Sequence, residues 1–259
     1  MTTIIEIKNL TKKFRTSDGQ VVHALDNITL DIQQGEFVSL IGPSGCGKST
    51  LLRVIADLTD ASGGTITVNG KPPSQARKDR DYGFVFQSAT LYDWRTVIKN
   101  VQLPLEIMKY PAAKRDQRAR EMLRMVELGD FENKYPWQLS GGMQQRVSIA
   151  RALAFEPKIL LMDEPFGALD EMTRERMNNE LLRIWTTIPG MTVIFVTHNI
   201  AEAVYLSTRV VVMSPRPGRV SELIDGDLPQ PRGPETLEME AFFHAASQVR
   251  RVLHEGVAG

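Results

Sequence analysis

The chain has 259 residues, 42% hydrophobic and 24% charged, and its 31 basic side chains balance its 31 acidic ones. That is the composition of a globular protein of one large or two small domains, and zero net charge argues against bulk attraction to nucleic acid or anionic lipid, leaving only local patches for such contacts. The lone cysteine, Cys46, excludes an intrachain disulfide framework, and the longest apolar runs, at 159–162 and 193–196, are far too short to span a bilayer.

The first residues carry no basic stretch followed by an apolar core, so no secretory signal is expected. Residues 4–10 alternate and predict a strand. Phe14 precedes a turn signal, Thr16-Ser17-Asp18-Gly19-Gln20, and on its own reads as core. Residues 21–25 and 28–32 are further strand material, giving an opening antiparallel β layer. His23 has no visible partner and reads as a structural or surface residue. Residues 36–41 form a buried strand that runs into Gly42-Pro43-Ser44-Gly45-Cys46-Gly47-Lys48-Ser49-Thr50, with helical sequence at 51–56. This fits G-x-x-x-x-G-K-[ST] in the strand–loop–helix context that the pattern requires. The glycines let successive amides face one anion, and the helix N-terminus adds its positive end. Lys48 then reaches the β- and γ-phosphates, and the Ser49 hydroxyl is a Mg²⁺ ligand. A nucleoside triphosphate is the expected occupant.

Ala61-Ser62-Gly63-Gly64 reads as a turn, 65–70 as a strand ending in an Asn69-Gly70 turn, and 71–81 as a polar loop. Residues 82–86 are a strand that ends at Gln87. Residues 93–136 carry helical periodicity and many charges. Their basic cluster at 114–120 reads as a solvated helix face, because no aromatic side chains interleave with it. Leu139-Ser140-Gly141-Gly142-Met143-Gln144-Gln145-Arg146 opens a helix running to about Phe155. Physics alone leaves two readings open: a second anion site on the helix amides, or a plain N-cap by Ser140. Residues 159–162 are an apolar strand that meets Asp163 and Glu164. Beside a phosphate loop, a strand-end Asp is placed for Mg²⁺ and the next Glu for orienting or deprotonating water. A buried strand at 192–197 is followed by His198, placed for a γ-phosphate contact. A late strand at 210–213 leads to a rigid turn, Ser214-Pro215-Arg216-Pro217-Gly218-Arg219. Prolines 229, 231 and 234 then mark a loop before a helix near 235–254, with Phe242, Ala246, Val249 and Leu253 on one face. No second phosphate loop and no internal repeat is visible.

Taken in order, Gly42 to Thr50, Gln87, Leu139 to Gln144, Asp163-Glu164, Ala168-Leu169-Asp170 and His198 closely resemble the ATPase subunit of an ABC transporter, from about residue 4 to about 225. The resemblance implies an α/β fold: a P-loop NTPase core of mainly parallel sheet, an N-terminal antiparallel β layer and an inserted α-helical subdomain. Residues 1–259 are then a single ABC ATPase domain. Within it, 1–92 and 157–225 form the RecA-like core and β layer, 93–156 the helical subdomain with the signature motif, and 226–259 a C-terminal loop and helix. Phe14 falls where the family stacks an aromatic on adenine. Gln87 matches the family's glutamine that touches Mg²⁺ and links sheet to helices. Ser140, Gly141 and Gly142 match the signature that caps the γ-phosphate of ATP held by a second subunit, and Asp170 matches a residue that crosses the dimer interface. Lys48, Glu164 and His198 would carry catalysis, with Glu164 as general base; Ser49, Gln87 and Asp163 would hold the metal. ATP and Mg²⁺ are the implied cofactors.

The implied partners are a second ATPase subunit (a homodimer or a paralogue), transmembrane permease subunits and, indirectly, an extracytoplasmic solute-binding protein, with no nucleic acid. The implied place is the cytoplasmic face of the membrane, peripheral, through the permease. Leu139 to Val147, Asp163 to Asp170 and Ser214 to Arg219 look like the nitrate/sulfonate/taurine importer branch, which includes transporters of thiamine-precursor pyrimidines. An exporter ATPase subunit is the nearer alternative. A soluble ABC ATPase of DNA maintenance or translation is the remoter one, disfavoured because no sustained heptads lie between Lys48 and Ser140 and only one cassette is present.

Overall fold

The computed structural model describes residues 2–258. Two long strands, β1 (Thr3–Arg15) and β2 (Val21–Gln33), pair antiparallel, and β4 (Gly63–Val68) joins β1 on its other edge, giving the order β2-β1-β4. Gly63 and Gly64, read from the sequence as a turn, are the first residues of β4. The reason is a close approach: Gly64 has φ 82°, and a Cβ there would lie 2.4 Å from the Asn9 carbonyl oxygen of β1. The Asn69-Gly70 turn forms as expected, both residues at positive φ. The polar stretch after it is not all loop, because Pro73–Asp79 forms a short helix, α2, packed on β4. Pro73 at its first position needs no amide acceptor and presets φ.

The main sheet contains β3 (Phe37–Ile41), β5 (Tyr82–Val85), β6 (Ile159–Asp163), β7 (Thr192–Val196), β8 (Arg209–Met213) and β9 (Val220–Asp225) in the order β5-β6-β7-β3-β8-β9. All neighbours are parallel except β8 and β9. The four central strands are apolar at successive positions because both faces are covered. Val38, Leu40, Ile159, Leu161, Ile194 and Val196 pack toward the antiparallel layer and helix α1 (Lys48–Ile55). Phe37, Ile41, Leu160, Met162, Val193 and Phe195 pack on the opposite side. The edge strand β9 was not visible in the sequence, because only Ile224 of its six residues is fully buried.

That opposite side carries α3 (Val97–Ile107), α4 (Ala112–Met125), α5 (Gly141–Leu153), α6 (Glu171–Thr187), α7 (Ile200–Leu206) and α8 (Glu240–Ala258). Helices α3, α4 and α5 pack on one another, and α5 also touches β5. Part of the basic face of α4 is neutralised locally: Arg120 pairs with Asp116 and Glu132, and Arg118 with Glu121 and Glu156. Phe242 and Val249 of α8 are buried, with Ala246 and Leu253 packed beside them, as their spacing predicts. No helix among the described residues is long and apolar enough to cross a membrane.

Candidate active site

In a parallel sheet all strands end on one edge, and that edge is where α/β folds place ligands. Strand β3 sits between β7 and β8, with β6 next to β7. The chain therefore brings Gly42 to Thr50, Asp163-Glu164, His198 and the β8–β9 turn to the same edge. A cavity of about 290 Å³ opens there. Its wall is the phosphate loop from Ser44 to Thr50 (Cys46 aside), Phe14 of β1, Val22 and Ala24 of β2, Glu164 and Arg216.

The loop's shape rests on its glycines. Gly47 caps α1 at φ 107°, and a Cβ there would meet Leu25 Cδ2 at 2.7 Å and the Ala24 carbonyl at 2.9 Å. The first amides of α1 have no acceptor within the helix and are free for an anion. Lys48 is buried and folded back over its own loop, donating to the carbonyls of Gly42 (2.8 Å) and Pro43 (3.1 Å). Cys46 is buried, with its thiol pushed up by burial, so its contribution to a ligand is confined to the backbone. Gly42 is buried beneath the loop, where a Cβ would meet Cys46 Sγ and the Met213 carbonyl, both at 2.8 Å. Phe14 is not core: it is 40% exposed on the cavity wall, with Lys12 Nζ 4.7 Å from its ring centre.

Ser49 Oγ donates to Asp163 Oδ1 at 2.6 Å, and Arg53 stands 3.8 Å from the other carboxylate oxygen. A hydroxyl and a carboxylate in contact are hard oxygen donors of the kind Mg²⁺ accepts. Among the described residues no group of three or more His, Cys, Asp or Glu could hold a metal unaided. The pair therefore fits a Mg²⁺ that takes its remaining ligands from phosphate and water.

Glu164 has φ 46°, a left-handed conformation uncommon for a non-glycine residue. Two backbone hydrogen bonds hold it: its amide donates to the Val196 carbonyl at 3.1 Å, and its carbonyl accepts from Gly167 at 3.2 Å. The bend turns the side chain into the cavity wall, with Oε2 3.4 Å from His198 Nδ1. His198 is itself exposed. Its backbone is fixed by neighbours, since Asn199 donates to Thr197 Oγ1 and caps α7, while Thr197 donates to the buried Glu202.

Five expected residues lie elsewhere. Ser140 is the N-cap of α5, its Oγ accepting from the Met143 amide at 3.3 Å, and Asp170 is the N-cap of α6, accepting from Thr173 at 3.0 Å. That Thr173 amide holds the Asp170 carboxyl below its ordinary value. Gly141 and Gly142 face Leu169, and a Cβ on Gly142 would touch Thr173 at 3.0 Å. Ser140, Gly141, Gly142 and Asp170 thus form a second cluster, outside the cavity wall. Gln87 also lies apart, exposed after β5, because β6 and β7 separate β5 from β3. Its neighbourhood is tied to α5: Gln145 donates to the Phe86 carbonyl, and Arg151 to those of Ala89 and Thr90. Sequence reasoning missed Val22, Ala24 and Arg216. The turn holding Arg216 was visible, but its approach to the loop depends on β8 pairing with β3.

The family model described as ABC transporter matches residues 25–167. The taurine import ATP-binding protein TauB of Rhizobium johnstonii is 45% identical over 257 residues, 97% of each chain. The aliphatic sulfonates import ATP-binding protein SsuB of Bacillus cereus is 44% identical over 245 residues, 94% of each chain. Among solved structures, the dimeric post-hydrolysis state of the ATP-binding cassette MJ0796 bound to ADP and Pi superposes with a TM-score of 0.75 at 39% identity, covering 88% of this chain and 99% of that one. The chain belongs to the ABC transporter family and is one of its ATPase cassettes.

Proposed function

We propose that this cassette powers an importer of taurine or a related small sulfonate, acting on a membrane permease through ATP-driven pairing of two ATPase subunits. The observation that carries this reading is the separation of the cavity from the Ser140–Asp170 cluster. The cavity wall carries the phosphate loop and Glu164, with Asp163 bonded to Ser49 and His198 beside Glu164, yet Ser140 and Gly141 lie outside it and exposed, with Gly142 buried next to them against Thr173. A second copy presenting that cluster would finish the enclosure, so ATP would bind the pair better than the single subunit. A ligand drives a conformational change only through such a difference in affinity.

In this mechanism the triphosphate lies on the amides of the loop and α1, with adenine against Phe14. Ser49 and Asp163, with Gln87 if the segment after β5 moves inward, would hold Mg²⁺, which supplies neutralisation of phosphate charge. Lys48 adds a positive charge from within the loop. Glu164 accepts the proton of the attacking water. His198, just past the end of the neighbouring strand β7, orients Glu164 and the terminal phosphate. Across the interface Ser140, Gly141 and Gly142 donate to that phosphate, and Asp170 meets the partner. The block 93–156 would move relative to 1–92 and 157–225 and pass this motion to the permease. An extracytoplasmic binding protein would deliver the solute. The importer assignment and the sulfonate class rest on the names of the relatives and on the Ser214–Arg219 turn.

Deletion of the gene in its host, followed by whole-cell uptake of labelled taurine, tests the assignment. Loss of uptake, restored by the wild-type gene and not by Glu164→Gln, is expected. Unchanged uptake of taurine and of short alkanesulfonates, or loss of efflux instead, would overturn it.

A further inference from the structure

The turn between β8 and β9 is locked onto the phosphate loop. Gly218 donates to the Ala24 carbonyl at 3.0 Å, and its own carbonyl accepts from Asp26 at 3.0 Å. A Cβ on Gly218 would lie 1.9 Å from the Cys46 carbonyl oxygen, so the two backbones are in direct contact. Ser214 closes the turn, donating its amide to the Arg219 carbonyl and accepting the Arg219 amide on its Oγ. Two arginines leave this rigid turn with different fates. Arg219 is neutralised by Asp26. Arg216 lines the cavity, and its Nε reaches only the Gly45 carbonyl, at 3.3 Å. Among the described residues it has no carboxylate partner.

A guanidinium carries five N–H donors in a planar fork. One is engaged with Gly45, which leaves the others and the full charge at the mouth of a cavity floored by phosphate-binding amides. Such a fork matches phosphate oxygens in both charge and geometry. Arg216 is also carried by a different element from Lys48, so it approaches the loop from the β9 side.

The geometry points to Arg216 as a further nucleotide-binding residue, donating to a phosphate oxygen of the bound nucleotide from the β8–β9 turn. This rests on the reading of the cavity as the ATP site. The turn then does two things: Gly218 fixes the loop's shape from behind, and Arg216 closes it in front.

The test is the affinity of the full-length chain for ATP and for adenosine, by displacement of a fluorescent ADP analogue, at low and high salt. Wild type is compared with Arg216→Ala, Arg216→Gln and Arg216→Lys. Arg216→Ala and Arg216→Gln should each weaken ATP about tenfold at low salt, a loss typical of one charge-assisted contact. Arg216→Lys should recover most of it, the gap should shrink at high salt, and adenosine should be unaffected. Melting temperature without nucleotide should stay at the wild-type value. An equal loss for ATP and adenosine would place Arg216 on the base and overturn the assignment. So would a loss that is independent of salt and accompanied by a lower melting temperature, which marks a purely structural role. A wild-type chain that binds no nucleotide, with Lys48→Ala indistinguishable from it, would instead sink the reading of the cavity itself.

Discussion

His198 Nδ1 lies 3.4 Å from Glu164 Oε2, joining the ends of two adjacent parallel strands at the cavity whose wall Glu164 helps to form. The pair places a carboxylate able to take a proton beside a ring able to hold it in position. Glu164→Gln keeps the shape and removes the basicity. Nucleotide affinity should remain within a few-fold of wild type while phosphate release falls by about 10²–10⁴. A variant that turns over at the wild-type rate would exclude Glu164 as the base. His198→Ala should reduce phosphate release without a comparable loss of nucleotide affinity.

Ser140 and Gly142 stand with Thr173 and Asp170, on an edge that carries no part of the cavity wall. Ser140→Arg places a long cation there. Monomeric ATP binding should be unchanged, while ATP-dependent dimers disappear in light scattering, best measured in the Glu164→Gln background. ATP hydrolysis by a strictly monomeric Ser140→Arg protein would rule out the shared site.

Gly218 touches the back of the phosphate loop, with space for a hydrogen and nothing more. Gly218→Ala overlaps a backbone carbonyl that no rotamer change can move aside. Unfolding free energy should drop by about 1–3 kcal/mol, the cost of overpacking, and nucleotide affinity should fall with it. Denaturant melts with and without ATP measure both. A variant as stable as wild type would mean that the turn is free to lift off the loop.

Glu180 of α6 is buried, with Arg146 Nε at 3.0 Å. Burial pushes its carboxyl up to about 7, and Arg146 offsets only part of this. The unfolded chain ionises the same group near 4.5. The folded state therefore holds the extra proton between these values. Stability from this group is complete below about 4.5 and declines as pH rises to about 7, by an upper limit of about 3 kcal/mol. Glu180→Gln removes the titration. The melting temperature of wild type relative to Glu180→Gln should fall between pH 5 and 7.5, and parallel curves would show that Glu180 stays ionised against Arg146.

Much of the site was legible because its chemistry is local. A phosphate loop needs its glycines, lysine and serine within nine residues, and Asp163-Glu164 and His198 each follow directly on a strand. Phe14 shows where local reading turns: the isolated residue reads as core, yet it stands half-open on the cavity wall, and only resemblance to a family had placed it there. The helix α2, with a single buried residue, and the strand β9 gave too weak an apolar pattern to be seen.

Sequence by itself determined which groups could meet a triphosphate and the strands that carry them, since backbone shape and hydrogen-bonding capacity are set over a few neighbouring residues. Tertiary structure decided which of those groups meet within one chain. Strand order puts β6, β7 and β8 around β3 and leaves β5 at the edge, so Glu164 reaches the cavity over the loop, with His198 beside it, while Gln87 does not. The same order brings Arg216 to Gly45 across 171 residues of chain and sets Ser140 with Asp170 on another edge. These are contacts between segments far apart in sequence, fixed by sheet pairing and core packing, and no local pattern encodes them.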